Sequence, residues 1–210
     1  MGLHESQSRL CENYLGRSLG FIKSLWPTLT ELFPTQLAGV TPEAFYKAVN
    51  QCQPSLIRTE ADEVTYCLHV MVRYELEKRL MDGSLAVKDL PAAWNAQMKE
   101  LLGVDVPDDA HGVLQDIHWA GGDLGYFPSY ALGTAYGAQM MAAMRKDLDV
   151  DGLREAGNWA PITGWLEERI WQYGKEKTPA QLLKNACGGD FDPKFYTDYL
   201  VEKYSAIYEL

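Results

Sequence analysis

The sequence predicts a mainly α, multi-helix fold with little or no β-structure, organised as one unit over residues 1–210. Apolar residues recur at three- and four-residue spacing along most of the chain, and helix start signals recur between short connectors. No internal repeat and no long Ser/Gly-rich or Pro-rich linker divides it. With 210 residues, of which 47% are hydrophobic, the chain is long enough to bury a stable core.

Taken in order, Leu3, Leu10, Tyr14 and Leu15 mark a first helix. Thr41-Pro42 places an oxygen-bearing cap before a proline at the first helical position, as does Thr178-Pro179, where Gln181 completes a capping box. Ile57, Ala61, Val64, Leu68, Met71, Val72 and Leu76 predict a long, largely buried helix that runs past Arg73, Glu77 and Lys78 and stops at Asp82-Gly83. Leu90-Pro91 leads into a helix over 92–102 that ends at Gly103. Asp192-Pro193 opens the last helix, with Phe195, Tyr199, Leu200 and Tyr204 as its apolar stripe. The exception is 120–130, where Gly121, Gly122, Gly125 and Pro128 predict a loop and no regular helix start before Ser129. The short connectors predict helices packed in sequence order.

Composition narrows the function. A net charge of −10 and a pI near 4.8 supply no cluster of Lys and Arg for a phosphate backbone, which argues against nucleic acid. No apolar run is long enough for a membrane span, and no charged n-region precedes an apolar segment. Cys11, Cys52, Cys67 and Cys187 are scattered without a C-x-x-C pair, which fits a reduced, cytoplasmic protein and no disulfide framework.

The polar residues carry two readings each. Glu5 near a helix start is by itself an acid at the positive end of a dipole. The four histidines, His4, His69, His111 and His118, include no H-x-x-x-H pair, so no single helix presents two imidazoles one turn apart to a metal. Arg58 either pairs with a nearby acid, Glu60, Asp62 or Glu63, or offers a planar fork to a substrate carboxylate. Gln115, Asp116, His118 and Trp119 crowd polar and amphipathic groups before the glycine loop. Either Asp116 and His118 hydrogen-bond backbone groups and fix that loop, with Trp119 as packing, or they orient ligands and stabilise an oxyanion. Tyr126 and Tyr130, flanking Pro128, offer phenols to a tetrahedral intermediate. The remaining tryptophans, Trp26, Trp94, Trp159, Trp165 and Trp171, read as core or interface.

His4-Glu5-Ser6-Gln7, Ile57-Arg58-x-x-Ala61-Asp62 and Gly112-x-x-Gln115-Asp116-x-His118-Trp119 together resemble three signature motifs of the thermostable, Taq-type zinc metallocarboxypeptidases. The likeness continues through Leu90-Pro91-Ala92-Ala93-Trp94-Asn95 and Gly125-Tyr126-Phe127-Pro128-Ser129-Tyr130, and covers essentially the whole chain. It implies the C-terminal portion of a zincin-like, nearly all-helical catalytic domain that acts as a homodimer. The implied activity is release of C-terminal amino acids from peptides with a free C-terminus, with broad preference and C-terminal proline usually excepted.

The resemblance further implies Glu5 as a zinc ligand, Arg58 as anchor for the substrate's terminal carboxylate, and His118, Tyr126 and Tyr130 as catalytic groups. His4, Gln115 and Asp116 would stand one layer out, orienting them. The family's H-E-x-x-H helix, with two zinc histidines and the general-base glutamate, should precede Glu5 and is absent from these residues. The expectation is therefore that zinc, with cobalt or manganese as alternatives, belongs to the complete enzyme, and that this chain alone binds none tightly and is inert without an N-terminal half. The alternative is a non-enzymatic helical interaction or oligomerisation module derived from the same fold.

Overall fold

A computed structural model describes all 210 residues and contains eleven α-helices and no strand. They are α1 (Gly2–Arg9), α2 (Leu19–Leu32), α3 (Pro42–Val49), α4 (Tyr66–Met81), α5 (Leu90–Leu102), α6 (His118–Gly121), α7 (Pro128–Asp147), α8 (Val150–Glu155), α9 (Ala160–Arg169), α10 (Pro179–Cys187) and α11 (Lys194–Tyr208). A π-helical segment, Leu10–Gly16, continues α1. No helix is long and apolar enough to cross a membrane. The mainly α expectation holds.

The capping signals act as the sequence predicts. Thr41 Oγ1 accepts from Ala44 N at 3.1 Å, and Thr178 and Gln181 form the reciprocal capping box of α10. Gly103, at φ 72°, ends α5 in the left-handed conformation that a Cβ disfavours. At α11 the helix starts one residue later than Asp192-Pro193 predicts, at Lys194 with Pro193 in the cap position, and Asp192 Oδ1 accepts from Lys194 N at 2.8 Å.

Two expectations change. The apolar spacing from Ile57 predicts a helix there, but α4 starts at Tyr66. Asp62 sets the start: its Oδ1 accepts from Val64 N and Thr65 N, both at 2.9 Å, and its Oδ2 from Thr65 Oγ1 and Gln53 N. A carboxylate turned onto its own backbone competes with helix continuation. Ala61 packs on the Tyr66, Val70 and Phe127 cluster from a non-helical segment, so its spacing mimics a helical face. In the glycine loop, α6 makes one turn that closes on Gly122 at φ 83°, and α7 starts at Pro128 rather than Ser129.

The helices form two compact units. One comprises Gln51–Leu132 together with Met1, and the other Gly2–Asn50 with Gly133–Leu210. In the first, α4 packs on α5, burying Val72, Leu76, Trp94 and Met98, while Tyr66, Val70 and Phe127 make a second cluster. In the second, Leu10, Tyr14, Met140, Met144, Ile162 and Leu166 form the core. There α2 packs on α8 as well as on its neighbour α3, so packing does not simply follow sequence order.

The second unit depends on close approach of α1 to α7. A Cβ on Gly133 would lie 2.7 Å from the backbone carbon and Cβ of Glu5, and one on Gly137 would lie 2.9 Å from the Tyr14 ring. Ser6, fully buried, donates its hydroxyl to Leu3 O at 2.6 Å, and Gln7 Oε1 accepts from Trp171 Nε1 at 2.8 Å. These contacts fix the segment that carries Glu5. Gly133→Ala should therefore lower unfolding stability by about 1–3 kcal/mol through overpacking. Gly164→Ala, at an exposed position of α9 with open space around it, should raise it by about 0.5–1 kcal/mol. Denaturant titration of the two variants checks both signs.

Candidate active site

The first unit brings Arg58, Gln115, Asp116, His118, Tyr126 and Tyr130 together around the head of α4. Arg58 sits in a short 3-10 turn, Arg58–Glu60, entered from extended Ile57. Its backbone N–H donates to Gln115 Oε1 at 2.8 Å, which ties this turn to the segment before α6. Gln115 Nε2 in turn donates to Leu56 O, His111 O and Gly112 O. One amide side chain thus stitches two irregular segments whose backbone groups lack regular partners.

Asp116 is the centre of the cluster. Its Oδ1 accepts from Arg58 Nε at 3.0 Å and Nη2 at 2.8 Å, and its Oδ2 accepts from Arg73 Nε at 2.5 Å. Arg73 is fully buried and also donates to His69 O and Gln115 Oε1, both at 2.8 Å. Burial opposes the Asp116 charge, but the two guanidinium groups outweigh it and hold its pKa below the usual carboxylate range. Burial likewise opposes the Arg58 charge, and Asp116 and Tyr66 overcome it, so its pKa is raised. Arg73, more deeply buried, is pulled down to about 10 by burial, against the opposing pull of Asp116. Arg58 therefore pairs with Asp116, far along the chain, rather than with Glu60, Asp62 or Glu63.

The remaining face of Arg58 is aromatic. Its Nη1 donates to Tyr66 Oη at 2.9 Å, and its Cζ lies 4.8 Å from the centroid of the Tyr130 ring. Three of its N–H groups have these protein partners, so one N–H remains on each terminal nitrogen. Tyr130 Oη is hydrogen-bonded to His118 Nε2 at 2.9 Å, and the Tyr126 ring lies 5.3 Å from that of Tyr130. Burial and the nearby Arg58 charge lower the His118 pKa, favouring the neutral imidazole, whose Nδ1 is buried without a partner. Trp119 packs in the core and donates Nε1 to Glu77 Oε2 at 2.8 Å, while Glu77 Oε1 accepts from Gly125 N. Glu77, not Asp116, pins the glycine loop.

His4 and Glu5 belong to the other unit, on α1, where His4 is exposed and Glu5 half-buried. Nowhere in the chain do three His, Cys, Asp or Glu side chains come together to hold a metal ion. Sequence reasoning missed Tyr66, Arg73 and Glu77 as site-building residues. The available signal was their spacing: they share the buried face of α4, where a charge has to find a partner.

His69, on the same face, is fully buried, and neither ring nitrogen has a hydrogen-bond partner. Burial first, then Arg73 and Arg58, pull its pKa from 6.5 to about 4. Between those values the unfolded chain holds the proton and the folded chain does not, so stability falls as pH drops from 6.5 to 4. The integrated effect is roughly 3 kcal/mol. His69→Leu should flatten this part of the stability–pH curve without loss at neutral pH, since it removes an unpartnered polar ring. Denaturant titrations across that range check it.

The sequence profile described as carboxypeptidase Taq (M32) metallopeptidase matches residues 1–204. Carboxypeptidase 1 of Bacillus subtilis is 44% identical over 211 aligned residues, covering 100% of this chain and 42% of that protein. Thermostable carboxypeptidase 1 of Pyrococcus furiosus is 42% identical over 205 residues, covering 97% of this chain and 41% of that protein. The crystal structure of an M32 carboxypeptidase from Deinococcus radiodurans superposes with a TM-score of 0.96 at 42% identity, covering 100% of this chain and 42% of that one. The chain thus spans about two-fifths of the length of the relatives it matches. It belongs to the Taq carboxypeptidase (M32) family of metallopeptidases.

Proposed function

We propose that residues 1–210 form the C-terminal portion of the catalytic domain of a zinc-dependent carboxypeptidase with broad preference for the released residue. Family membership implies a metal and peptide substrates. The donor groups of this chain do not make a metal site, because no three of them converge. A catalytic zinc takes about three protein ligands, so Glu5 contributes at most one donor to a centre completed by residues outside these 210. In the same reading the enzyme is a homodimer in the cytoplasm, and the four free cysteines fit that reduced compartment.

The observation that carries the proposal is the state of Arg58. A guanidinium held on one edge by Asp116, braced by Tyr66 and lying over Tyr130 keeps its charge and orientation when buried. The N–H left on each terminal nitrogen gives a planar pair of donors for the two oxygens of a peptide's terminal carboxylate. Tyr130, hydrogen-bonded to the neutral His118, then presents a phenol beside that anchor, and Tyr126 packs against both. These groups position the chain end and donate a hydrogen bond to charge that develops on the scissile carbonyl.

Arg58→Lys, assayed in an enzyme that joins this chain to its metal-binding segment, should lower kcat/KM for free-carboxylate peptides by about 10–100-fold, as one bidentate ion pair is lost. Slow turnover of C-terminally amidated peptides should be unchanged, and an equal loss on both would count against the anchor. The purified 210-residue chain should hold well below one zinc by elemental analysis. One zinc per chain that disappears in Glu5→Ala would overturn the incomplete-centre reading.

A further inference from the structure

A cavity of about 260 Å³ lies within the unit formed by Gly2–Asn50 and Gly133–Leu210, walled by the turn into α2, the end of α7, α8 and α11. None of its wall belongs to the Arg58 cluster. Four cationic side chains, Arg17, Arg145, Arg154 and Lys203, face two carboxylates, Asp151 and Glu202, in a chain whose overall charge is −10. Glu12 pairs with Arg17 at 2.9 Å from outside the wall, and positive charge is still left over.

Arg154 is the most deeply buried of these cations. It is 6% exposed, and its Nη1 donates to Tyr14 O and its Nη2 to Asp151 Oδ1, while its Nε is buried without a partner. Asp151 is 66% exposed and divides the same oxygen with Arg145 at 3.3 Å, so solvent and a second cation both dilute its effect on Arg154. Burial first, then repulsion from Arg145, lowers the Arg154 pKa to about 10.

The wall also holds Leu19 and Gly20, the first two residues of the 14-residue helix α2. Ser18 Oγ accepts from Phe21 N at 3.2 Å, but first-turn N–H groups such as those of Leu19 and Gly20 have no carbonyl one turn back within the helix. The positive end of α2 therefore adds to the same field. An under-paired buried guanidinium, two further cations and a helix N-terminus converge on one small space.

We infer that this cavity binds a phosphate anion, free or as the monoester of a small molecule. A tetrahedral oxyanion accepts from arginine forks and helix N–H groups on several sides at once, and its negative charge is opposite in sign to the surplus in the wall. The volume falls just below the range general for ligand pockets, about 300–1,000 Å³, which suits a small monoester better than a nucleotide.

The test is isothermal titration of the 210-residue chain with inorganic phosphate and with glycerol 3-phosphate, against potassium chloride at matched ionic strength. Saturable one-site binding is expected with both anions, and tighter binding of the ester would assign the site to a monoester rather than to free phosphate. The double variant Arg145→Gln/Lys203→Gln leaves buried Arg154 intact. It should keep the parent melting curve and lose affinity by at least about tenfold. Absence of saturable binding of either anion up to about 10 mM, or unchanged affinity in the double variant, would overturn the inference.

Discussion

One carboxylate set between two buried guanidinium groups is the constraint on which the candidate site depends. Asp116 receives Arg58 on one oxygen and Arg73 on the other, and Gln115 beside it takes the Arg58 backbone and the Arg73 side chain on a single oxygen. Removing ions from water is unfavourable by several kcal/mol each unless charge and hydrogen bonds are both satisfied. Arg73 has no solvent exposure at all, so its position on α4 is tolerated only because the 111–117 segment delivers Asp116 and Gln115 to it. The irregular segments at 54–60 and 111–117 thus derive their order from side chains, not from backbone ladders.

That arrangement leaves Arg58 with a fixed plane and an incomplete set of partners. Tyr66 braces it, Tyr130 covers one face, and Tyr130 in turn engages His118. Glu77 holds the glycine loop through Gly125 and Trp119, which sets where Tyr126 and Tyr130 enter. The donor set for a metal is a different matter: no three His, Cys, Asp or Glu side chains converge in this chain.

Much of this was legible in the residues. The helical class followed from spacing, and the caps at Thr41, Gly103 and Thr178 followed from local chemistry that operates within a few residues. Arg58 and the 115–119 group stood out because polar residues were crowded into an otherwise apolar context. Their connection was not legible: Asp116 is 58 residues from Arg58, and nothing local distinguishes it from Glu60 or Asp62 as a partner. The start of α4 was missed for a related reason, since Asp62 turns onto its own backbone while Ala61 still packs inward. Arg73 and Glu77 read as ordinary helix residues until the partner of each came into view.

The measurement that bears most directly on this account is the unfolding free energy of Asp116→Asn, which keeps the shape of the side chain and removes its charge. Loss of one partner from a buried ion network should lower stability by about 3–5 kcal/mol, with faster amide exchange in 54–60 and 111–117 than in α9 to α11. A change below about 1 kcal/mol, with exchange in those segments unaltered, would mean that Arg58 and Arg73 are held by packing alone and that Asp116 does not organise the site.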